Sequence, residues 1–196
     1  KGRAADGVAV LWRRSRLEAT AEAEIWKLKS NVHVALAQRL RLLGTEDELL
    51  VVATHLKAGL NETAEQERMV QAETLLKKVR QAQLPTIVLV DMNSGSRPLR
   101  TDGGEFLEPR VYSLLTHGGF RSAYKVVAGH EPDWTCWGGW QGWDVASGFD
   151  YALLHSRRLA PLRALAVPAA REILAFPDRL PNARYPSDHV PAVVDV

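Results

Sequence analysis

Two short apolar runs, LLVVATHL at Leu49–Leu56 and TIVLV at Thr86–Val90, bracket the stretch TAEQERMVQAETLLKKVRQAQLP. Within that stretch Met69, Ala72, Leu76 and Val79 recur at helical spacing, and Thr63 followed by Gln66 forms a capping-box pattern that predicts the helix start. Lys77, Lys78 and Arg80 suit the negative end of the helix dipole, and Pro85 stops the helix before the next strand. A strand, a helix and a strand in this succession belong to an α/β chain.

The flanking sequence extends the pattern. In NVHVALAQRLRLL, Val32, Val34 and Leu36 alternate with polar or small residues, and the short GTEDE segment predicts an antiparallel hairpin with LLVVATHL. DGVAVLW reads as an earlier strand. Ser94 to Glu108 is rich in Gly, Ser, Arg and Asp and reads as a surface loop, after which Pro109 opens a helix ended by Gly118 or Gly119. The closing SDHVPAVVDV predicts a strand with Val190, Ala192 and Val194 on one face and Val193 on the other.

At 196 residues the chain is long enough for one domain with a substantial core, spanning 1–196. The single cysteine, Cys136, excludes an internal disulfide framework, is compatible with a reducing compartment, and reads as a packing residue. Apolar runs fall far short of the ~18 residues a membrane helix needs. A net charge of +2 suits a phosphorylated substrate but is too small for a nucleic-acid stripe. The chain meets an apolar run within a few residues of its start and shows no upstream strand to pair with it, so the fold is expected to be N-terminally incomplete.

Polar groups recur at strand boundaries: His55 in ATHLKA, Asp91 and Asn93 in VDMN, Asp150 in FDYALL, and Asp188 with His189 in SDHV. Singly, each has a structural explanation: a packing histidine, an Asx turn, a strand cap, a local turn bond. Together they fit metal-assisted hydrolysis of a phosphate ester. A hard cation such as Mg²⁺, or Mn²⁺ in its place, takes one or two carboxylates plus substrate phosphate. Attack on phosphorus also needs an oriented water and donors for the charge that builds on the equatorial oxygens.

THLKA, VDMN, FDY and YPSDH, in this order, resemble the endonuclease/exonuclease/phosphatase superfamily. Within it, DGVAVLW, NVHVALAQRL, the Arg68/Gln71 pair, SAYK and WTCW resemble the nocturnin and poly(A)-deadenylase branch. The resemblance implies a DNase-I-like four-layer sandwich of two mixed β-sheets flanked by helices, of which this chain would be about the C-terminal two thirds. It implies that His189, oriented by Asp150, acts on the attacking water or the leaving group, and that Asp91 orients the water. Asn93 and His55 would hold the phosphate with Lys57 adding charge, and Asp188 and Asp91 would lie at the metal. The family's principal metal-binding glutamate comes from a strand before DGVAVLW and is absent here, so residues 1–196 alone are expected to be inert. Gly59 stands where relatives carry a basic residue after HLKA, Gly138 and Gly139 where they carry basic residues after the Thr-x-Trp motif, and VDMN replaces GDFN.

Trp134, Trp137, Trp140 and Trp143 recur every third residue among glycines. Trp137 and Trp140 are candidates for stacking on a base, worth about 1–3 kcal/mol per base, and the alternatives are packing beneath a loop or contact with a protein partner. Two functions follow from these readings. One is a Mg²⁺-dependent phosphoesterase acting on a nucleotide, either an RNA 3′ end or a phosphorylated dinucleotide. The other is a non-catalytic descendant that serves as a binding or scaffolding module in a larger assembly.

Overall fold

The computed structural model describes residues 7–29, 32–100, 104–138 and 144–196. In chain order the elements are β1 (Leu17–Ala19), β2 (Glu24–Lys27), β3 (Val34–Leu42), β4 (Glu48–His55), α1 (Glu62–Ala82), β5 (Thr86–Asp91), β6 (Leu99–Arg100) and β7 (Phe106–Leu107). There follow α2 (Arg110–His117), β8 (Arg121–Ser122), α3 (Ala123–Ala128), β9 (Cys136–Gly138), β10 (Val145–Ser147), β11 (Asp150–His155), β12 (Arg163–Ala164), α4 (Ala170–Leu174) and β13 (Val194–Asp195).

The centre is a seven-stranded mixed sheet, ordered β1-β3-β4-β5-β11-β8, with β2 also paired to β3. The hairpin joining β3 to β4 closes where Leu42 N donates to Asp47 O at 3.1 Å, and Gly44 supplies the left-handed φ of 82° in the turn. Helix α1 then carries the chain back along the sheet, which lets β5 lie parallel to β4. Strand β11 enters antiparallel to β5.

The α1 cap differs from the expected one. Asn61, not Thr63, is the N-cap, and its side chain accepts from Ala64 N at 2.9 Å. A planar amide beside an extended backbone satisfies an otherwise orphaned N–H, so the capping-box spacing from Thr63 was a competing signal displaced by two residues. At the other end Gln83 takes the left-handed conformation (φ 53°), ahead of Pro85.

Alternation along the strands separates two faces. Ala35, Ala37, Leu50, Val52, Val88, Val90, Tyr151 and Leu153 pack beneath Leu75, Leu76 and Val79 of α1 and Val111, Tyr112 and Leu115 of α2. Burying each large aliphatic chain here contributes on the order of 1.5–3 kcal/mol. The helices approach closely at Gly118, where an added Cβ would lie 2.6 Å from Leu76 Cδ2. On the opposite face Ala152 and Leu154 are covered by Ala123, Leu159 and Val194. Further along that face Leu89 is 43% exposed and Ile25 68% exposed.

This is the mixed α/β architecture the sequence suggested; beside the main sheet the described residues form three separate two-stranded ladders, β6–β7, β9–β10 and β12–β13. Two expected strands are corrected. Gly7–Arg13 forms no ladder, and Leu11 is 89% exposed: the first paired residues are Leu17–Ala19, against β3. In the closing segment only Val194 and Asp195 form a ladder, with β12, beside the isolated His189–Cys136 bridge, and Pro191 between them has no N–H to donate.

Replacing Asn61 by Ala is expected to cost about 1 kcal/mol in urea denaturation, and Thr63→Ala less than about 0.5 kcal/mol. The reverse ranking would place the cap at Thr63.

Candidate active site

His55 ends β4, Asp91 ends β5 and Asp150 begins β11. Because β4 and β5 run parallel and β11 antiparallel, all three residues arrive at one edge of the sheet, in register His55↔Asp91 and Asp91↔Asp150. Cross-strand partners share a face, so their side chains form one polar row, two residues along from the apolar row Ala53, Leu89 and Ala152. His55 Nε2 lies 3.3 Å from Asp91 Oδ2.

The fourth member comes from the far end of the chain. Trp137 N donates to Asp188 O at 3.0 Å and Val190 N donates to Thr135 O at 2.8 Å, which locks the 187–190 turn against β9 as an antiparallel bridge. His189 Nδ1 is thereby held 2.8 Å from Asp150 Oδ2. The same oxygen accepts from Thr135 Oγ1 at 2.7 Å, and Thr135 Oγ1 accepts from the Phe149 and Asp150 amides, each at 3.0 Å. Asp91, Asp150 and His189 line an open cleft of about 430 Å³ together with Leu89, Ser187 and Val190.

The electrostatics follow from burial and neighbours. The Asp91 carboxyl is pushed above its ordinary range, first by desolvation and then by the Asp150 carboxylate, against the pull of His55 and His189. His189 is raised to about 11, chiefly by its hydrogen bond to Asp150 and next by Cys136, with burial opposing. Asp91, Asp150 and His189 each place a ligand atom within 4.8 Å of the other two. Two carboxylates held that close, one of them desolvated, form a donor set that fits a hard divalent cation.

A buried polar network positions the loops. Glu65, Arg68 and Gln71 occupy the buried face of α1, and all three are fully buried. Arg68 pairs with Glu65 at 2.8 Å and donates from Nη1 to Lys57 O and Gly59 O at 2.7 and 2.8 Å. Gln71 Oε1 accepts from Lys57 N at 2.9 Å. The second Glu65 oxygen accepts from Arg110 N at 2.7 Å and Ser94 Oγ at 3.2 Å. One side-chain trio thus fixes the loop after His55, the loop after Asp91 and the start of α2.

Of the residues singled out from the sequence, His55, Asp91, Asp150 and His189 stand in one line of contacts. Asn93 sits beside them: its N–H donates to Asp91 Oδ1 at 3.0 Å and its Nδ2 to Leu56 O at 3.2 Å, in a left-handed conformation (φ 48°). Lys57 is half-buried, and its contacts here are through its backbone. Asp188 does not share a ligand set with Asp91: it gathers with Cys136 and His189, because the bridge to β9 turns it toward that strand.

Trp137 is corrected as a stacking platform. It is buried against Trp134, with ring centroids 5.3 Å apart, and its Nε1 donates to Asp144 Oδ1 at 2.5 Å. Strand alternation in β9 turns Trp137 inward and leaves Cys136 facing out. Trp140 lies outside the described residues. Sequence reading missed Thr135, Glu65 and the roles of Arg68 and Gln71. The available signal was three polar residues spaced by three on a helix face that should have been apolar.

No family model matches the chain. It is 30% identical over 201 residues to nocturnin of Xenopus laevis, covering 97% of this chain and 48% of that protein. It is 28% identical over 219 residues to nocturnin of Drosophila melanogaster, covering 97% of this chain and 32% of that protein. The chain therefore spans between a third and a half of the length of these relatives. In fold it is similar to the human nocturnin catalytic domain with bound sulfate anion (TM-score 0.66, 24% identity, 92% of this chain and 59% of that one). It is also similar to ANGEL2, a 2′,3′-cyclic phosphatase in complex with adenosine-2′,3′-vanadate (TM-score 0.73, 17% identity, 99% of this chain and 71% of that one). In sequence the chain is similar to nocturnins, and in fold to proteins of the endonuclease/exonuclease/phosphatase family. The sequence similarity to nocturnin covers 97% of the chain, and the fold resemblance covers nearly all of it.

Arg68→Ala would leave Glu65 charged and buried without its countercharge, and is expected to cost about 3–5 kcal/mol in denaturant unfolding. A loss below about 1 kcal/mol would mean that the network is not what holds these loops.

The raised His189 pKa also sets a pH signature. A folded-state value near 11 against 6.5 contributes stability that is fully present below about 6.5 and is lost as pH rises toward 11. In EDTA-containing buffer, the melting-temperature advantage of the native chain over His189→Gln is expected to shrink steadily from pH 6 to pH 10. An advantage that grows with pH would reverse the assignment.

Proposed function

We propose that this chain carries the catalytic machinery of a divalent-metal-dependent phosphoesterase acting on a nucleotide, either an RNA 3′ end or a phosphorylated dinucleotide. The observation that supports it most is the Asp150–His189 pair at 2.8 Å beside the His55–Asp91 contact, at one sheet edge and open to a cleft. The similar proteins point to the same ligand class: the human nocturnin domain holds sulfate, and ANGEL2 holds an adenosine vanadate.

In this reading Asp91, with its carboxyl pushed up, orients a water and takes its proton as the water oxygen bonds to phosphorus. His189 keeps its proton at neutral pH, held by Asp150 in one orientation, and gives it to the leaving oxygen as the ester bond breaks. Thr135 fixes Asp150 in turn. Asn93 and His55 donate to the phosphoryl oxygens, and Lys57 adds positive charge. Asp91 and Asp150 are the groups that would hold Mg²⁺ or Mn²⁺. When bound, such a cation neutralises the charge that builds on the phosphoryl group.

The scaffolding alternative has one observation in its favour. Gly59 sits at φ 120°, a conformation side chains rarely adopt, and an added Cβ would lie 3.2 Å from Ala64 Cβ. The basic side chain that the family resemblance places there would be strained on this backbone.

In the whole protein, exhaustive chelation is expected to abolish hydrolysis of nucleotide phosphate esters and Mg²⁺ to restore it. His189→Ala is expected to lower kcat by about 10²–10⁴-fold. Turnover that survives chelation, or a folded His189→Ala variant with full kcat, would remove the mechanism. A whole protein inert toward every nucleotide ester tried, with Mg²⁺ present, would favour the scaffold.

A further inference from the structure

Cys136, first read as a packing residue, is not used by the proposed reaction, yet the backbone places it against the reaction's histidine. In the bridge between β9 and the 187–190 turn, the hydrogen bonds run from Trp137 N to Asp188 O and from Val190 N to Thr135 O. They therefore flank the Cys136↔His189 pair and do not join it. Such a non-hydrogen-bonded antiparallel pair brings its two side chains closest together on one face. Asp188, next in the turn, adds a carboxylate. The Cys136 Sγ, a His189 ring nitrogen and an Asp188 oxygen all lie within 4.8 Å of one another, and all three residues are partly exposed.

From this geometry we infer that Cys136, Asp188 and His189 form a binding site for a thiophilic divalent cation of the Zn²⁺ class, distinct in ligand set from the all-oxygen demand of Mg²⁺. Bonds of about 2.0 Å to nitrogen and oxygen and about 2.3 Å to sulfur put tetrahedral donors about 3.3–3.5 Å apart. The donors here need to close by at most roughly 1.5 Å to reach that spacing. One thiolate, one imidazole and one carboxylate leave a fourth position for water, and sulfur selects Zn²⁺ over Mg²⁺. Asp150 already engages Nδ1 of His189, which leaves Nε2 to ligate and supplies the carboxylate-to-histidine support common behind zinc ligands. Cys136 binds as the thiolate, so its proton passes to the buffer on loading.

A cation here takes the imidazole that the phosphoesterase reaction needs. That consequence, inhibition by zinc, rests on the phosphoesterase reading. The site itself does not.

The test is a Co²⁺ titration of the reduced chain, followed in the near ultraviolet for sulfur-to-cobalt charge transfer. The native chain is expected to develop the band at one equivalent, to lose it on adding Zn²⁺, and to keep it in millimolar Mg²⁺. Cys136→Ser is expected to abolish it, and Asp188→Asn to weaken cobalt binding at least tenfold. Circular dichroism confirms that each variant is folded. A folded native chain without the band overturns the site. So does a band unchanged in both Asp188→Asn and His189→Gln, which marks a thiol acting alone. If the whole protein hydrolyses nucleotide esters, micromolar Zn²⁺ is expected to inhibit it and Cys136→Ser to relieve that inhibition at least tenfold. A protein that shows the band but no turnover at all keeps the site and loses the phosphoesterase reading.

Discussion

The loops that leave the sheet edge after His55 and Asp91 depend on one buried ion pair. Arg68 and Glu65 are held at 2.8 Å with no exposure to solvent, in a helix face that otherwise carries Ala72, Leu75 and Val79. Desolvation pulls the Arg68 pKa down and Glu65 opposes it, so each charge is tolerated only because of the other. An apolar pair of similar volume would pack as well. It could not tie off the carbonyls of Lys57 and Gly59 or the amide of Arg110, and the loop after His55 and the loop bearing Asn93 would lose their fixed geometry. Polar groups here occupy core positions because loop backbone reaches into the core.

The second constraint is register. A parallel pairing of β4 with β5 and an antiparallel one of β5 with β11 put the end of two strands and the start of a third side by side. Slipping any pairing by one residue would turn His55, Asp91 or Asp150 to the helix-covered face. Tyr151 and Leu153, seated under α1 and α2 on the other face, are what prevent that slip. Hydrophobic packing on one side of the sheet therefore sets polar geometry on the other.

The sequence made some of this legible. The β3–β4 hairpin, α1 and β5 could be read because their periodicity is long and uninterrupted, and the polar residues at strand ends stood out against apolar runs. The apolar stretch at Gly7–Trp12 misled, since alternation reports a residue's preference for burial and cannot supply a partner strand. The closing segment misled because Pro191 breaks a ladder that its valines favour. Trp137 was ambiguous for another reason: a tryptophan's character is the same whether it stacks on a base or packs on Trp134, and only the bridge to His189 decides which way β9 faces. Thr135 gave no signal, as one hydroxyl beside one aspartate, 15 residues apart, has no local pattern.

The order of assembly in time is a consequence of the same topology. Asp150 and His189 are separated by 39 positions, Asn93 and Leu56 by 37, and the bonds between them join segments that local structure cannot bring together. Contacts of such long sequence separation form late, after the loops between them have been closed at entropic cost. α1 and the β3–β4 hairpin can form early from neighbouring residues, whereas the dyad exists only once β11 has docked on β5 and the 187–190 turn has bridged to β9. A newly made or partly unfolded chain therefore carries the same carboxylates and histidines without their alignment.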